Sequence, residues 1–180
     1  MNIFAVHRDP AVAARSLCDR HVVKMTVETA QILCTVARRL GHDAPYRATH
    51  RSHPCVQWAA ERRANWEWLV RHGLALADEY RRRFGREHAS RAVVAWAATH
   101  AVGPAAGGRR GPFAQAMPER WRGSDAVAAY RRFYVGEKAR FATWRAPARP
   151  PSWWPRGRAA AGRRRAAAGP RPTDPRGRRV

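Results

Sequence analysis

Four polar side chains, His21, Lys24, Glu28 and Gln31, are spaced three, four and three residues apart within an otherwise apolar segment. At 3.6 residues per turn this spacing puts them on one line of a helix. A carboxylate, an amine and an imidazole held on one line of a largely buried helix perturb one another's protonation. Glu28 then suits a general acid/base role or the stabilisation of a cationic transition state, and Lys24 suits pairing with Glu28 or attack as an amine nucleophile. The alternative is that the line is the solvated stripe of an amphipathic helix. A second cluster, Thr49-His50-Arg51-Ser52-His53-Pro54, precedes a helix start. There the free amides and the helix dipole favour an anion such as phosphate; the alternative is a polar loop that faces water. Cys18, His21, His50 and His53 supply ligand types for zinc, but their spacing is a poor match to zinc sites, and no metal is expected.

The elements that must position these groups are helical. The sequence predicts a mainly α fold: one compact domain of about five helices with a basic tail. Asp9-Pro10 reads as a cap and first residue of a helix to about Leu17. A second helix runs from about Asp19 to Leu40 and stops at Gly41. After a loop, Pro54 opens a long helix to about Phe84, with Trp66, Val70, Leu74 and Ala77 on its buried face. Further helices span Arg86 to about His100 and Ser124 to about Trp144, separated by a Gly- and Pro-rich loop. Ile3–Val6 is either a strand or a tucked-in terminus, and no alternating pattern follows it. Within the loop, Phe113–Pro118 reads as tucked inward in preference to a wedge for a nucleic-acid stack.

Charge narrows the partner. The 180 residues carry 35 Lys+Arg against 13 Asp+Glu, a net charge of +22. Such a surplus favours a polyanion, since cationic contacts to phosphate release counterions. Only Lys24 and Lys138 are lysines, so part of the basicity reflects a chain rich in Ala and Arg throughout. Residues 145–180 hold 11 Arg and one acid. The division expected is a helical domain over 1–144, a Pro/Trp-rich segment over 145–155 and an Arg/Ala/Pro-rich disordered tail over 156–180, which suits non-specific phosphate contact. Trp153-Trp154 either folds back onto the core or offers stacking surfaces for bases. Three cysteines make no paired framework, no apolar run reaches membrane-spanning length, and the N-terminus lacks a signal-peptide pattern. The chain reads as cytoplasmic and nucleoid-associated.

The run Asp19-Arg20-His21-Val22-Val23-Lys24-Met25-Thr26-Val27-Glu28, followed by His53 and a helix ending in Tyr80-Arg81-Arg82-Arg83-Phe84-Gly85, resembles the small all-α pyrimidine-dimer DNA glycosylase/AP lyase family, the phage endonuclease V type. There a D-x-H element is followed by the catalytic Glu seven residues after the His, the spacing of His21 and Glu28. The fuller pattern is also similar to a group of mostly uncharacterised phage and bacterial proteins. It comprises N-I-F, C-D-x-H-V-V-K-M, T-H-x-x-H-P, P-F-x-Q-A-M-P and A-Y-R-x-x-Y. The resemblance implies attack of the chain's α-amine on C1′ of the damaged nucleotide, a Schiff base, loss of the base and strand cleavage by β-elimination. The catalytic Glu stabilises the sugar cation and manages protons. The chain departs from the family where Asn2 replaces a Thr, and where Val27 and Gln31 stand in place of two arginines that contact DNA and substrate.

The reading is therefore a DNA N-glycosylase with AP-lyase activity that removes a damaged or modified, including dimerised, pyrimidine. Glu28 is the acid/base, and the amine of Met1, Asn2 or Lys24 is the nucleophile. His21, Gln31, His50, Arg51, His53, Arg131, Arg132, Trp153 and Trp154 are the expected DNA contacts. The partner is DNA, the state is monomeric, and neither a cofactor nor a membrane is called for. Two rival readings are a transferase or hydrolase acting on a modified nucleobase or nucleotide, and a non-catalytic nucleic-acid-binding protein.

Overall fold

The computed structural model describes residues 1–100, 103–105 and 107–155. Among them are six α-helices and no strand: α1 (Pro10–Ser16), α2 (Asp19–Arg39), α3 (Pro54–Glu61), α4 (Arg63–Phe84), α5 (Arg91–Thr99) and α6 (Ala126–Lys138), with a 3-10 turn at Glu119–Trp121. The tail expected over 156–180 lies outside the described residues. Ile3 to Val6 is the tucked-in terminus and part of no strand, with Ile3, Ala5 and Val6 fully buried.

Local chemistry sets several helix ends. The Asp9 side chain accepts the Val12 N–H at 2.8 Å, and Pro10 follows as the first helical residue, where its missing N–H costs nothing. His53 caps α3 in the same way, its Nδ1 accepting the Cys55 N–H at 3.1 Å. Gly85 ends α4 with φ of 71°, a left-handed conformation that glycine adopts without steric penalty.

Three boundaries differ from the sequence reading. The single helix expected over Pro54–Phe84 is two. Arg62 is extended (φ −146°, ψ 145°), and Asn65 Nδ2 donates to Trp58 O at 2.7 Å, taking the carbonyl that an unbroken helix would offer to Arg62. Asn65 Oδ1 meanwhile accepts the Gly111 N–H at 2.9 Å, so a contact remote in sequence holds the break. The helix expected from Arg86 begins at Arg91, because His88 docks the intervening turn: its Nε2 lies 3.1 Å from Val23 O and its Nδ1 accepts the Ser90 N–H at 3.1 Å. The last helix is capped by Asp125, whose Oδ1 accepts the Val127 and Ala128 amides, in place of Ser124, and it stops at Lys138.

α4 is the central element and packs on α1, α2, α3 and α5. Trp66, Val70 and Ala77 are buried and Leu74 is half-buried, as the spacing predicts. Gly73 lets α4 approach its neighbours closely. A Cβ there would stand 2.6 Å from Thr29 Cγ2 on α2 and 2.9 Å from Val94 Cγ1 on α5. A buried ion network locks the C-terminal end of α4 to the α1–α2 junction. Arg83 bonds Glu79 (2.6 Å), Asp19 (3.1 Å) and the carbonyls of Leu17 (2.9 Å) and Arg15 (3.1 Å). Phe113 and Met117 are buried, Phe113 lying edge-on to Trp68 at 4.8 Å, so the loop is tucked inward. Burial of a ring of this size stabilises by about 2 kcal/mol.

Candidate active site

The N-terminal segment bends back onto α2. Phe4 has φ of 36°, and the turn is held by Asn2, whose Oδ1 accepts the amides of Ile3 (2.8 Å) and Phe4 (3.0 Å). Asn2 Nδ2 donates to Ala116 O at 2.7 Å, which ties the terminus to the tucked loop. The turn presents two main-chain nitrogens to one carboxylate: Asn2 N donates to Glu28 Oε2 at 2.8 Å, and the Met1 α-ammonium is 3.9 Å from the same oxygen. Lys24 Nζ is 3.5 Å from Oε1. Glu28 is 8% exposed, so the line on α2 is not a solvated stripe. Its carboxylate is buried and enclosed by nitrogen, and only Lys24 reaches well into solvent. The Met1 side chain is 2% exposed although the residue as a whole is half-buried, so its exposed part is backbone, the amine end.

His21 forms the wall beside this group. Its ring stacks on Phe4 (4.5 Å between centroids), and its Nδ1 is 2.7 Å from Tyr134 Oη. Burial, reinforced by the charges of Lys138, Lys24 and Arg20, pushes its pKa down to about 3. The imidazole is therefore neutral at pH 7, and it acts here through shape and hydrogen bonding. Tyr134 Oη also contacts Cys18, accepting its N–H at 3.0 Å and lying 3.2 Å from Sγ. Cys18 and His21 are thus joined through a tyrosine. Among the described residues no group of three or more His, Cys, Asp or Glu is arranged to hold a metal ion.

The second cluster contributes His53. Burial first, then the charges of the N-terminal ammonium and His50, lower its pKa, which sets it beside the terminus. Cys55, next to it on α3, is pushed up to about 12 by burial and is an inert thiol. His50 is exposed, with φ of 49° and Nδ1 bonded to Thr49 Oγ1 at 2.7 Å. Arg51 is exposed.

The remaining expected contacts divide. Gln31 lines a separate cleft of about 770 Å³ with Tyr46, Arg47 and Thr49. Arg131 is occupied internally, its Nε donating to Val6 O at 2.8 Å and its guanidinium lying over Trp153. Arg132 is exposed. Trp154 is 6% exposed, edge-on to Trp144 at 4.9 Å and Tyr134 at 6.2 Å. The Trp pair folds back, and Trp154 has no face to offer a base. Two side chains of the site escaped the sequence reading: Asn2 as a clamp and Tyr134 as the partner of His21. The A-Y-R-x-x-Y run that holds Tyr130 and Tyr134 was the available signal. Lys138, read from the sequence as part of a solvated basic face of the last helix, has its Nζ 4.6 Å from the Phe133 ring centroid and 5.9 Å from that of Phe4.

A buried carboxylate flanked by two amines, on an all-helical and strongly basic protein, is equipped for amine and acid–base chemistry on an anionic substrate. The chain belongs to the pyrimidine dimer DNA glycosylase family, whose model matches residues 1–91, half of the chain. It is thus a member of a family of DNA repair enzymes. No curated protein and no solved structure matches it. Among the described residues no helix is long and apolar enough to cross a membrane.

Proposed function

We propose that the protein is a DNA N-glycosylase with AP-lyase activity directed at a damaged or modified pyrimidine, with Glu28 and the α-amine as its reacting groups. The observation that carries the reading is the Met1 amine, 3.9 Å from a Glu28 carboxylate that is itself almost wholly buried. Attack needs the amine in its uncharged form. Glu28 takes up the proton that the ammonium gives up. The amine lone pair then forms the N–C1′ bond as the glycosidic bond breaks, and the base departs with that electron pair and a proton. Opening of the sugar gives the imine, and loss of a C2′ proton expels the 3′ phosphate. Were Met1 removed, the Asn2 nitrogen would become the α-amine, already 2.8 Å from the same oxygen. Lys24 is the third candidate nucleophile.

Borohydride trapping on a duplex oligonucleotide with an abasic site tests the reading. The expected result is a covalent adduct whose digestion places the label on the N-terminal peptide. A label on Lys24 would move the nucleophile. No adduct, together with tight, salt-sensitive binding, would overturn the lyase in favour of a binding protein.

A further inference from the structure

The Tyr134 hydroxyl, on α6, meets three groups of the α1–α2 junction. It accepts the Cys18 N–H at 3.0 Å, and it lies 3.2 Å from Cys18 Sγ and 2.7 Å from His21 Nδ1. Burial raises the phenol well above its ordinary range, so its single proton stays on. Two acceptors compete for that proton. An imidazole nitrogen at 2.7 Å is at the length of a good hydrogen bond, whereas a thiol sulfur is a weak acceptor. The proton therefore goes to Nδ1. His21 is neutral at pH 7, so its own proton sits on Nε2. That nitrogen has no hydrogen-bond partner among the described residues, and it is not one of their buried unpaired atoms, which are Thr29 Oγ1, Trp58 Nε1 and His72 Nε2. It thus presents an N–H to solvent.

The fixed ring is also a platform. Phe4 stacks on His21 with centroids 4.5 Å apart and 21° between the planes, and it stands edge-on to Tyr134 at 5.3 Å. Phe4 has φ of 36°, a left-handed conformation that a residue with a side chain keeps only where its surroundings hold it. Its N–H donates to Asn2 Oδ1 at 3.0 Å, and Asn2 N donates to Glu28 Oε2 at 2.8 Å. One unbroken run of contacts leads from the Tyr134 hydroxyl, through the stacked rings of His21 and Phe4, to the turn that carries the α-amine.

We propose that Tyr134 is a positioning residue of the reaction: its hydroxyl holds His21 as the Nε2–H tautomer in the plane on which Phe4 stacks, and so holds the α-amine against Glu28. The inference deepens the function proposed above and rests on it, but the residue lies on α6, outside the matched residues 1–91. A hydrogen bond to one ring nitrogen sets which nitrogen of an imidazole carries the proton, and the same bond stops the ring from turning under Phe4.

Tyr134→Phe tests the proposal, since it keeps the ring and removes only the hydroxyl. One readout is the pair of imidazole nitrogen signals of His21 in NMR spectra at pH 7, assigned by their loss in His21→Gln. The other is the single-turnover rate of borohydride trapping on a duplex with an abasic site. The native protein is expected to show one tautomer, with the proton on Nε2, and Tyr134→Phe a mixture of two. Trapping by Tyr134→Phe is expected to slow by roughly 10- to 100-fold, the scale on which a small misplacement of reacting groups acts. Its affinity for a duplex with a tetrahydrofuran abasic analogue, which forms no Schiff base, is expected to stay native. A proton on Nδ1 in the native protein, or native trapping by Tyr134→Phe, overturns the proposal. Should Tyr134→Phe fail to fold, Phe4→Leu, which removes the stacked ring, replaces it in the trapping arm. The same slowing is expected there, and a native rate overturns the proposal. The two readings fail separately. No adduct with the native protein refutes the function proposed above, whatever the tautomer, whereas an adduct formed at the native rate by either variant refutes the positioning role alone.

Discussion

Asn2 N donates to Glu28 Oε2 at 2.8 Å, so the acidic group and the segment that bears the amine are held by one hydrogen bond across 26 residues of sequence. Glu28→Gln keeps the shape of the side chain and an oxygen for that bond while removing the charge. General acid–base catalysis is worth roughly 100- to 10,000-fold. Single-turnover rates on a lesion-bearing duplex are therefore expected to fall by at least about 100-fold, with DNA affinity and its salt slope close to native. Turnover near the native rate would remove Glu28 from the chemistry.

Asn2 is a clamp whose loss should affect both folding and reaction. Asn2→Ala leaves the amides of Ile3 and Phe4 and the carbonyl of Ala116 without their side-chain partner. An unsatisfied buried polar group costs about 1–3 kcal/mol. A loss of about 2 kcal/mol in urea denaturation is expected, together with a lower yield of trapped adduct as the amine loses its fixed place. A variant that melts and traps like the native protein would show that the turn at Phe4 holds itself.

The capped and glycine-stopped helices were legible because their signals are local: Asp9-Pro10, Gly41 and Gly85 act within a few residues of themselves. The alignment of His21, Lys24 and Glu28 along one line of α2 was legible for the same reason, since helical periodicity alone sets it. The break at Arg62 was not, because Arg is a good helix former and the group that opens the helix, Asn65, is held by Gly111 in a distant loop. Lys138 was legible only as part of a basic face suited to phosphate. On its own helix it reads as one more solvated cation, and only the return of α6 over Phe4 brings it to that ring. Trp154 turned inward because Tyr134 and Trp144 supply an aromatic pocket that no sequence window contains.

Arg83 and Arg82 provide a paired test of buried against exposed charge. Both bond Glu79 at 2.6 Å, yet the Arg83 side chain is fully buried and that of Arg82 is 42% exposed. Removing one partner of a buried pair costs about 3–5 kcal/mol, because the other charge is left uncompensated; an exposed pair is worth about 1 kcal/mol at most. Arg83→Met is thus expected to destabilise severely and to loosen the α1–α2 junction, and Arg82→Met to have little effect. Equal shifts in the urea midpoint would show that Glu79 is satisfied by either arginine.

Two buried imidazoles set the acid limit of the fold. His21 is depressed to about 3 and His72 to about 4, burial being the leading cause in both. His72 stacks on Trp68 at 4.8 Å and keeps Nδ1 3.0 Å from Pro10 O. An unfolded histidine takes up its proton near pH 6.5, while these two remain neutral in the folded protein. Between pH 6.5 and about 4 the unfolded chain binds more protons than the folded one, so stability rises with pH in that window. It is complete above 6.5 and is lost as pH falls toward the folded values. Urea midpoints are expected to be flat from pH 7 to 8 and to drop steeply between pH 6.5 and 4, and His72→Gln should flatten part of that drop. A native midpoint unchanged from pH 7 to 5 would mean that both rings accept a proton without leaving their pockets.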